Sequence, residues 1–315
     1  MRNSLMKKIN YLTCGSNLLF IFLSFMNVYA NELKVMPQLD AKAYVLMDYH
    51  SGKVLLSNNP HERLNPASLT KIMTSYVVGQ AIKAGKISVN DLVIVGKDAW
   101  VIGNPILRGS SLMFLKPGDR VSVLDLNRGI VIQSGNDACI ALADYVAGSQ
   151  TLFVDLMNQY VTLLGLKNTN FKTVHGLDSE GQFSTAHDMA VLAKALIKDV
   201  PDEYLLHGEK VFIYNKIKQF NRHRLLWSKR LQVDGIKTGH TSRAGYNLIT
   251  SATNENMRLI AVVLGATSDS IRFTESEKLI NWGFRFYNTI IPITADKPFT
   301  TEKVWYGNQS TVLLG

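Results

Sequence analysis

Asn65-Pro66-Ala67-Ser68-Leu69-Thr70-Lys71 is the stretch on which the fold and chemistry of this chain turn. Pro66 and its neighbours read as the end of a loop. Beyond them Leu69, Ile72, Met73, Tyr76, Val77 and Ile82 recur at helical spacing. Ser68 is therefore expected to open a helix, with Lys71 one turn on. Residues three apart share a helix face, about 5–6 Å apart at Cβ. A hydroxyl and an amine so placed meet without help from the rest of the fold, as a nucleophile meets its base. Taken alone, a Ser-x-x-Lys string is more often a capping serine followed by a solvated lysine, so the reading depends on what else the chain carries.

The bulk composition sets the frame. The chain has 315 residues, 46% hydrophobic and 19% charged, enough to bury a sizeable core in one large domain plus a small one, or in two medium domains. Its net charge is +9. The basic residues read as scattered, with no block of the kind that binds nucleic acid, and mild basicity suits an anionic substrate or an anionic membrane surface. Arg2, Lys7 and Lys8, an apolar stretch clearest from Leu18 to Met26, and small residues at Val28 and Ala30 form a signal peptide over residues 1–30, cleaved after Ala30. The apolar run is shorter than the ~20 residues a spanning helix needs. Export follows. Cys14 leaves with the signal, and Cys139, alone in an apolar helical stretch, reads as a small core residue.

Further along, residues 43–47 and 53–56 read as a hairpin around the turn Asp48-Tyr49-His50-Ser51-Gly52. Ser122 caps an apolar helical run to Ile132. Gln133-Ser134-Gly135-Asn136 breaks it, and a helix follows from about Asp137 to Val146. Thr185 caps another that ends near Pro201. Residues 233–239, 246–252 and 258–264 read as consecutive antiparallel strands, and 270–287 as an amphipathic helix. The result is α+β: an antiparallel sheet with a helical lobe. Residues 293–315 read as strand and turn with no core of their own.

Three strings then line up: Ser68-x-x-Lys71, Ser134-Gly135-Asn136 and Lys237-Thr238-Gly239. Ser68 would attack an acyl carbon, with helix N-terminal N–H groups available to an oxyanion. Lys71 must be held below its ordinary pKa to accept the proton, and both burial and a second cation at Lys237 would do that. Ser134 would relay a proton to the leaving amine. Asn136 would bond a substrate amide. On its strand, Gly239 would let a substrate backbone lie close, while Lys237 and Thr238 hold a carboxylate.

In this order the strings resemble the penicillin-binding serine acyl-transferases, a group that includes class A β-lactamases. Asn65 to Thr74, Ser134-Gly135-Asn136-Asp137-Ala138, Thr173-Val174-His175-Gly176-Leu177 and Asp234 to Thr241 narrow the resemblance to low-molecular-mass D-alanyl-D-alanine carboxypeptidases, over about residues 39–315. The resemblance implies a transpeptidase-like domain over 31–291 and the start of a small β-rich domain over 292–315. Family members usually carry a C-terminal amphipathic anchor helix, and this chain is expected to stop short of one. It implies catalysis by Ser68, Lys71 and Ser134, an oxyanion hole from the N–H groups of Ser68 and His240, and a grip on the terminal carboxylate by Arg272. Asp199, Arg222 and His240 match positions kept near the site. The implied substrate is the stem peptide of peptidoglycan. β-Lactams are implied as covalent inhibitors, and the implied place is the periplasm, at the outer face of the cytoplasmic membrane. No cofactor is called for, and His175 and His187 lack the further ligands a metal would need.

Three alternatives remain. A β-lactamase would need a deacylating glutamate, and the nearest string, Glu203-Tyr204-Leu205-Leu206-His207, lies too far past Ser134. An endopeptidase that cuts cross-links shares the same strings. A catalytically idle wall-binding protein would not need Ser68, Lys71, Ser134 and Lys237 together.

Overall fold

Alternation of apolar residues along the strands explains the layering. The computed structural model describes residues 35–290 and 298–314. The signal segment at 1–30 and the domain boundary at 291/292 lie outside them. Strand β1 (Ala43–Asp48) is buried at every position. Ala43, Val45 and Met47 face one core, and Tyr44 and Leu46 face another. The same division runs through β9 (Met257–Ala266), whose Ile260, Val262 and Leu264 join the first core and Leu259, Ala261 and Val263 the second. A strand buried on both faces must be covered on both, and here it is.

The sheet has five strands in the order β2-β1-β9-β8-β7. They are β2 (Val54–Asn58), β7 (Gln232–Thr241) and β8 (Gly245–Asn254) with the two already given. All pairs are antiparallel, with Val45 opposite Val262, Thr250 opposite Ala261 and Lys237 opposite Ile249. Strand β7, which carries Lys237-Thr238-Gly239, is an edge.

The first core is the helical lobe: α1 (Thr70–Lys83), α2 (Val123–Arg128), α3 (Asn136–Ala147), α4 (Gln150–Leu163), α5 (Ala186–Asp199) and α6 (Pro201–Leu206). Helix α1 is buried from Thr70 through Gly79, so it runs through the centre of the lobe instead of over its surface. Ile72 and Met73 are fully buried and Tyr76 nearly so. Helix α7 (Asp269–Phe286) covers the other face with Leu279, Ile280 and Trp282. The capping residues act as their types predict: Ser122 Oγ accepts the Asp125 N–H at 3.1 Å, and Thr185 Oγ1 accepts the Asp188 N–H at 3.1 Å.

The structure departs from the sequence reading in places. The helix expected up to Ile132 is α2 followed by a wider turn, Gly129–Gln133. Helix α4 was not read, although Phe153, Met157 and Val161 recur at four-residue spacing on its buried face. Two small sheets, β3 (Leu92–Ile94) with β4 (Arg120–Ser122) and β5 (Val211–Tyr214) with β6 (Ile217–Phe220), were also missed because their strands are short. Near the C-terminus, β10 (Thr300–Lys303) and β11 (Thr311–Leu314) form a hairpin exposed throughout, matching strand-and-turn material without a core.

Candidate active site

Ser68 lies just ahead of the helix it was expected to open. It lies in a tight 3-10 turn, Ala67–Leu69, and α1 starts at Thr70. The chain entering from Pro66 must bend sharply to reach the helix, and it does so with Ala67 in the left-handed region, at φ +50. Asn65 Oδ1 accepts the Ala67 N–H at 2.8 Å, and the Leu69 N–H reaches the Pro66 carbonyl at 3.1 Å. From the sheet, the fully buried Asn247 donates Nδ2 to the carbonyls of Asn65 (3.0 Å) and Pro66 (3.2 Å), while its Oδ1 accepts the Gly265 N–H at 2.8 Å. The turn is thus tied to β8 as well as to its own helix.

Lys71 is completely buried and its Nζ has three acceptors: Ser68 Oγ at 3.1 Å, Asn136 Oδ1 at 2.6 Å and the His175 carbonyl at 2.5 Å. Burial lowers its pKa to about 8. That value includes the positive charge of Arg222, which also lowers it, and the opposing influence of Cys139 and Asp137. Lys237 was expected to be the depressing cation; the cation that lowers Lys71 beside the effect of burial is Arg222. Lys237, also buried, is pushed well below 10.5 by burial first, then by the charges of Lys71, Arg222 and Arg272. Cys139 lies nearby as a core thiol that burial pushes up to about 12, with Sγ donating to the Gly135 carbonyl.

The turn Gly129–Gln133 ends at Ser134, a non-glycine in the left-handed region at φ +65. This backbone bend aims Ser134 and Asn136 at the site as α3 begins. Asp137 holds the junction: its carboxylate accepts the N–H groups of Met113 (2.8 Å), Leu115 (3.1 Å) and Ala138 (2.9 Å). The facing loop is drawn in, so that the Ser111 carbonyl accepts the Asn136 N–H at 2.8 Å. Asn136 was expected to bond substrate, yet its Oδ1 is occupied by Lys71, 65 residues away in sequence. Asn136→Ala removes an acceptor that favours the charged amine. Acylation by benzylpenicillin is expected to slow by roughly 10- to 100-fold, from about 1–3 kcal/mol of lost hydrogen bonding, with the apparent pKa moved below the parent's. A stopped-flow pH series checks both, and a parent-like rate and pKa would refute the pinning role.

Gly239 also has an unexpected neighbour. A Cβ there would meet the Pro66 carbonyl at 3.0 Å and the Leu69 nitrogen at 3.2 Å. The backbone that approaches Gly239 is therefore the Ser68 turn itself. Lys237 Nζ bonds the Thr238 carbonyl at 3.1 Å, and exposed His240 stacks on Tyr246 with centroids 4.1 Å apart. Arg272 donates to the carbonyls of Gly239 (3.1 Å) and Asn247 (3.3 Å) and pairs with Asp269, which leaves its Nε buried without a partner among the described residues. It braces β7 and lines the cleft together.

These residues surround a cleft of about 640 Å³ lined by Ser68, Ser134, Asn136, Thr238, Gly239, His240 and Arg272. Arg108, Ser111, Asp178 and Arg222 are also part of its lining. Asp178 was not singled out from sequence; its Oδ1 accepts Asn65 Nδ2 at 2.5 Å and Thr241 Oγ1 at 2.9 Å, linking the nucleophile's loop to the end of β7. Its position just past the Thr173-to-Leu177 string was the available signal. Asp199 accepts from the Tyr76 hydroxyl at 2.9 Å behind α1, and Arg222 donates to Ser111 Oγ at 2.8 Å. Glu203 is buried against Gly79 and Asn127, away from the cleft lining, and burial raises it to about 7. His175 stays neutral, pushed down to about 3 by burial and by Lys71, and His187 packs on His61.

Comparison with known proteins agrees with this geometry. The family profile of D-alanyl-D-alanine carboxypeptidase matches residues 22–268. The chain is 65% identical over 305 residues to D-alanyl-D-alanine carboxypeptidase DacC of Escherichia coli K12, covering 96% of this chain and 76% of that one. Its fold superimposes on penicillin binding protein 5 from Haemophilus influenzae with a TM-score of 0.82 at 51% identity, covering 89% of this chain and 80% of that one. Penicillin-Binding Protein D2 from Listeria monocytogenes, solved in an ampicillin-bound form, aligns with a TM-score of 0.70 at 29% identity, covering 79% of this chain and all of that one. With a serine turn, a buried amine and an edge strand closing one cleft, the chain belongs to the D-alanyl-D-alanine carboxypeptidase family.

Proposed function

We propose that the protein removes the terminal D-alanine from peptidoglycan stem peptides through an ester on Ser68, and that β-lactams acylate the same serine. Lys71 takes the proton of Ser68 Oγ as the oxygen adds to the penultimate carbonyl. The C–N bond then breaks, the proton passes by way of Ser134 to the leaving D-alanine amine, and water hydrolyses the ester to free the shortened peptide. The backbone N–H groups of Ser68 and His240 receive the oxyanion. Lys237, Thr238 and Arg272 hold the terminal carboxylate.

The observation that carries this reading is the fully buried Lys71 Nζ 3.1 Å from Ser68 Oγ, at a pKa of about 8. The mutual repulsion of Lys71 and Lys237 adds a switch. A substrate carboxylate beside Lys237 favours its charged form, and that charge drives Lys71 toward the free amine. The base is thus readied by the arrival of substrate.

Residues 31–291 act as the catalytic domain and 292–315 as the start of a second, β-rich one. The protein works in the periplasm, at the outer face of the cytoplasmic membrane; the signal pattern in residues 1–30 supports this. Benzylpenicillin should leave one penicilloyl group on Ser68, seen by intact mass and peptide mapping, and none on Ser68→Ala. An adduct elsewhere, or rapid turnover of nitrocefin without accumulation, would overturn the assignment.

A further inference from the structure

The even scatter of basic residues has one exception. Between Lys210 and Arg230 the chain carries seven Lys/Arg and no Asp or Glu. The segment forms the β5–β6 hairpin, turning at Asn215 and Lys216 with φ +47 and +65, and then the short turn Arg224–Trp227. Alternation along the hairpin sends Phe212 and Gln219 inward. Outward go Val211, opposite Phe220, and Ile213, opposite Lys218. Ile213 is 63% exposed, Phe220 55% and the neighbouring Trp227 43%. Lys218 Nζ stands 5.2 Å from the Phe220 ring centre, and Lys210 Nζ 6.0 Å from that of Trp227. Among the described residues, Lys210, Lys216, Lys218, Lys229 and Arg230 have no carboxylate partner. A face of rings and aliphatic side chains threaded with unpaired cations, on a two-stranded hairpin, is the composition of a binding surface.

Its position says what it binds. The hairpin packs on the turn Gly129–Gln133 that presents Ser134. Two residues past β6, Arg222 enters the cleft and bonds Ser111. The basic segment therefore runs into the substrate cleft at Arg222. We propose that this hairpin face is an exosite for the polymeric cell-wall substrate. The apolar faces of glycan sugar rings lie on Phe220, Trp227 and Ile213. Free carboxylates of neighbouring stem peptides pair with the lysines, holding the polymer while one peptide end occupies the cleft. The inference rests on the carboxypeptidase reading. Charge alone would also suit an anionic bilayer, but a bilayer on this face would crowd the mouth through which substrate enters.

Co-sedimentation with purified sacculi tests it, using the full chain carrying Ser68→Ala so that nothing is consumed. Adding Ile213→Ser with Phe220→Ser, or Lys218→Glu, is expected to weaken retention by about tenfold, the loss typical of an exposed anchor at an interface. The lysine-dependent part should fade in high salt. All these side chains face solvent, and penicilloyl adduct formation on the same variants with Ser68 intact verifies the fold. Retention unchanged in both variants overturns the exosite. So does retention on phosphatidylglycerol-containing vesicles that falls with these substitutions while sacculus binding does not. Absence of the penicilloyl adduct in the parent would overturn the functional reading instead, and leaves the sacculus measurement standing on its own.

Discussion

Replacing Lys71 by arginine is expected to slow acyl-enzyme formation by about 10³- to 10⁴-fold, the upper range for a lost general base. Arginine keeps a cation and can still reach toward Ser68, but it does not give up its proton in a protein. The parent and the variant should also differ in shape against pH. Lys71 loses its proton at about 8 because burial penalises the ammonium and Arg222 repels it. Below that pH the reactive free amine is a minority, so the acylation rate should rise about tenfold per pH unit and level off above about 8. The Lys71→Arg profile should lack this rise. Benzylpenicillin acylation followed from pH 6 to 10 checks both features. A variant that keeps the parent's pH profile would assign the base to another group.

The second large effect is expected at Gly176. Its φ is +87, and a Cβ built there would lie 2.0 Å from the Ala67 carbonyl oxygen and 2.9 Å from Thr70 Oγ1. Gly176 is also the neighbour of His175, whose carbonyl receives Lys71. Gly176→Ala must therefore either move the Ser68 turn or lift the 173–177 segment off α1. The left-handed conformation and the overlap together are expected to cost about 2–5 kcal/mol. Urea denaturation measures the loss. Acylation should fall with it, since either relief separates Ser68 from its base. Parent-like stability together with parent-like acylation would show that the two segments are not locked as described.

What could be read from sequence was mostly local. Ser68 and Lys71 are one helical turn apart, so their meeting follows from helix geometry. The strands β7 to β9 follow each other with short links, and antiparallel pairing is the consequence. Roles that depend on distant contacts were read less well. Asn136 meets Lys71 because α3 starts where α1 passes, and nothing in the string Ser134-Gly135-Asn136 reports this. A glycine on an edge strand announces a close approach without saying of what; at Gly239 one close neighbour is the Pro66 carbonyl. Which cation stands beside Lys71 is a property of the assembled core, and there it is Arg222. Strands β5 and β6 escaped notice because four residues each give too little alternation, and with them went a concentrated basic surface.

Ala67 is the residue whose conformation has further reach. A fully buried alanine in the left-handed region is disfavoured by about 1–2 kcal/mol, and a glycine at 67 would relieve this. The relief would come with freedom: a glycine before the nucleophile opens more backbone states to the turn, each with Ser68 Oγ aimed elsewhere. The alanine narrows that choice before any substrate arrives. In kinetic language, the penalty is carried by the resting enzyme and is absent from the climb to the transition state, because the serine does not have to find its direction again at each turnover.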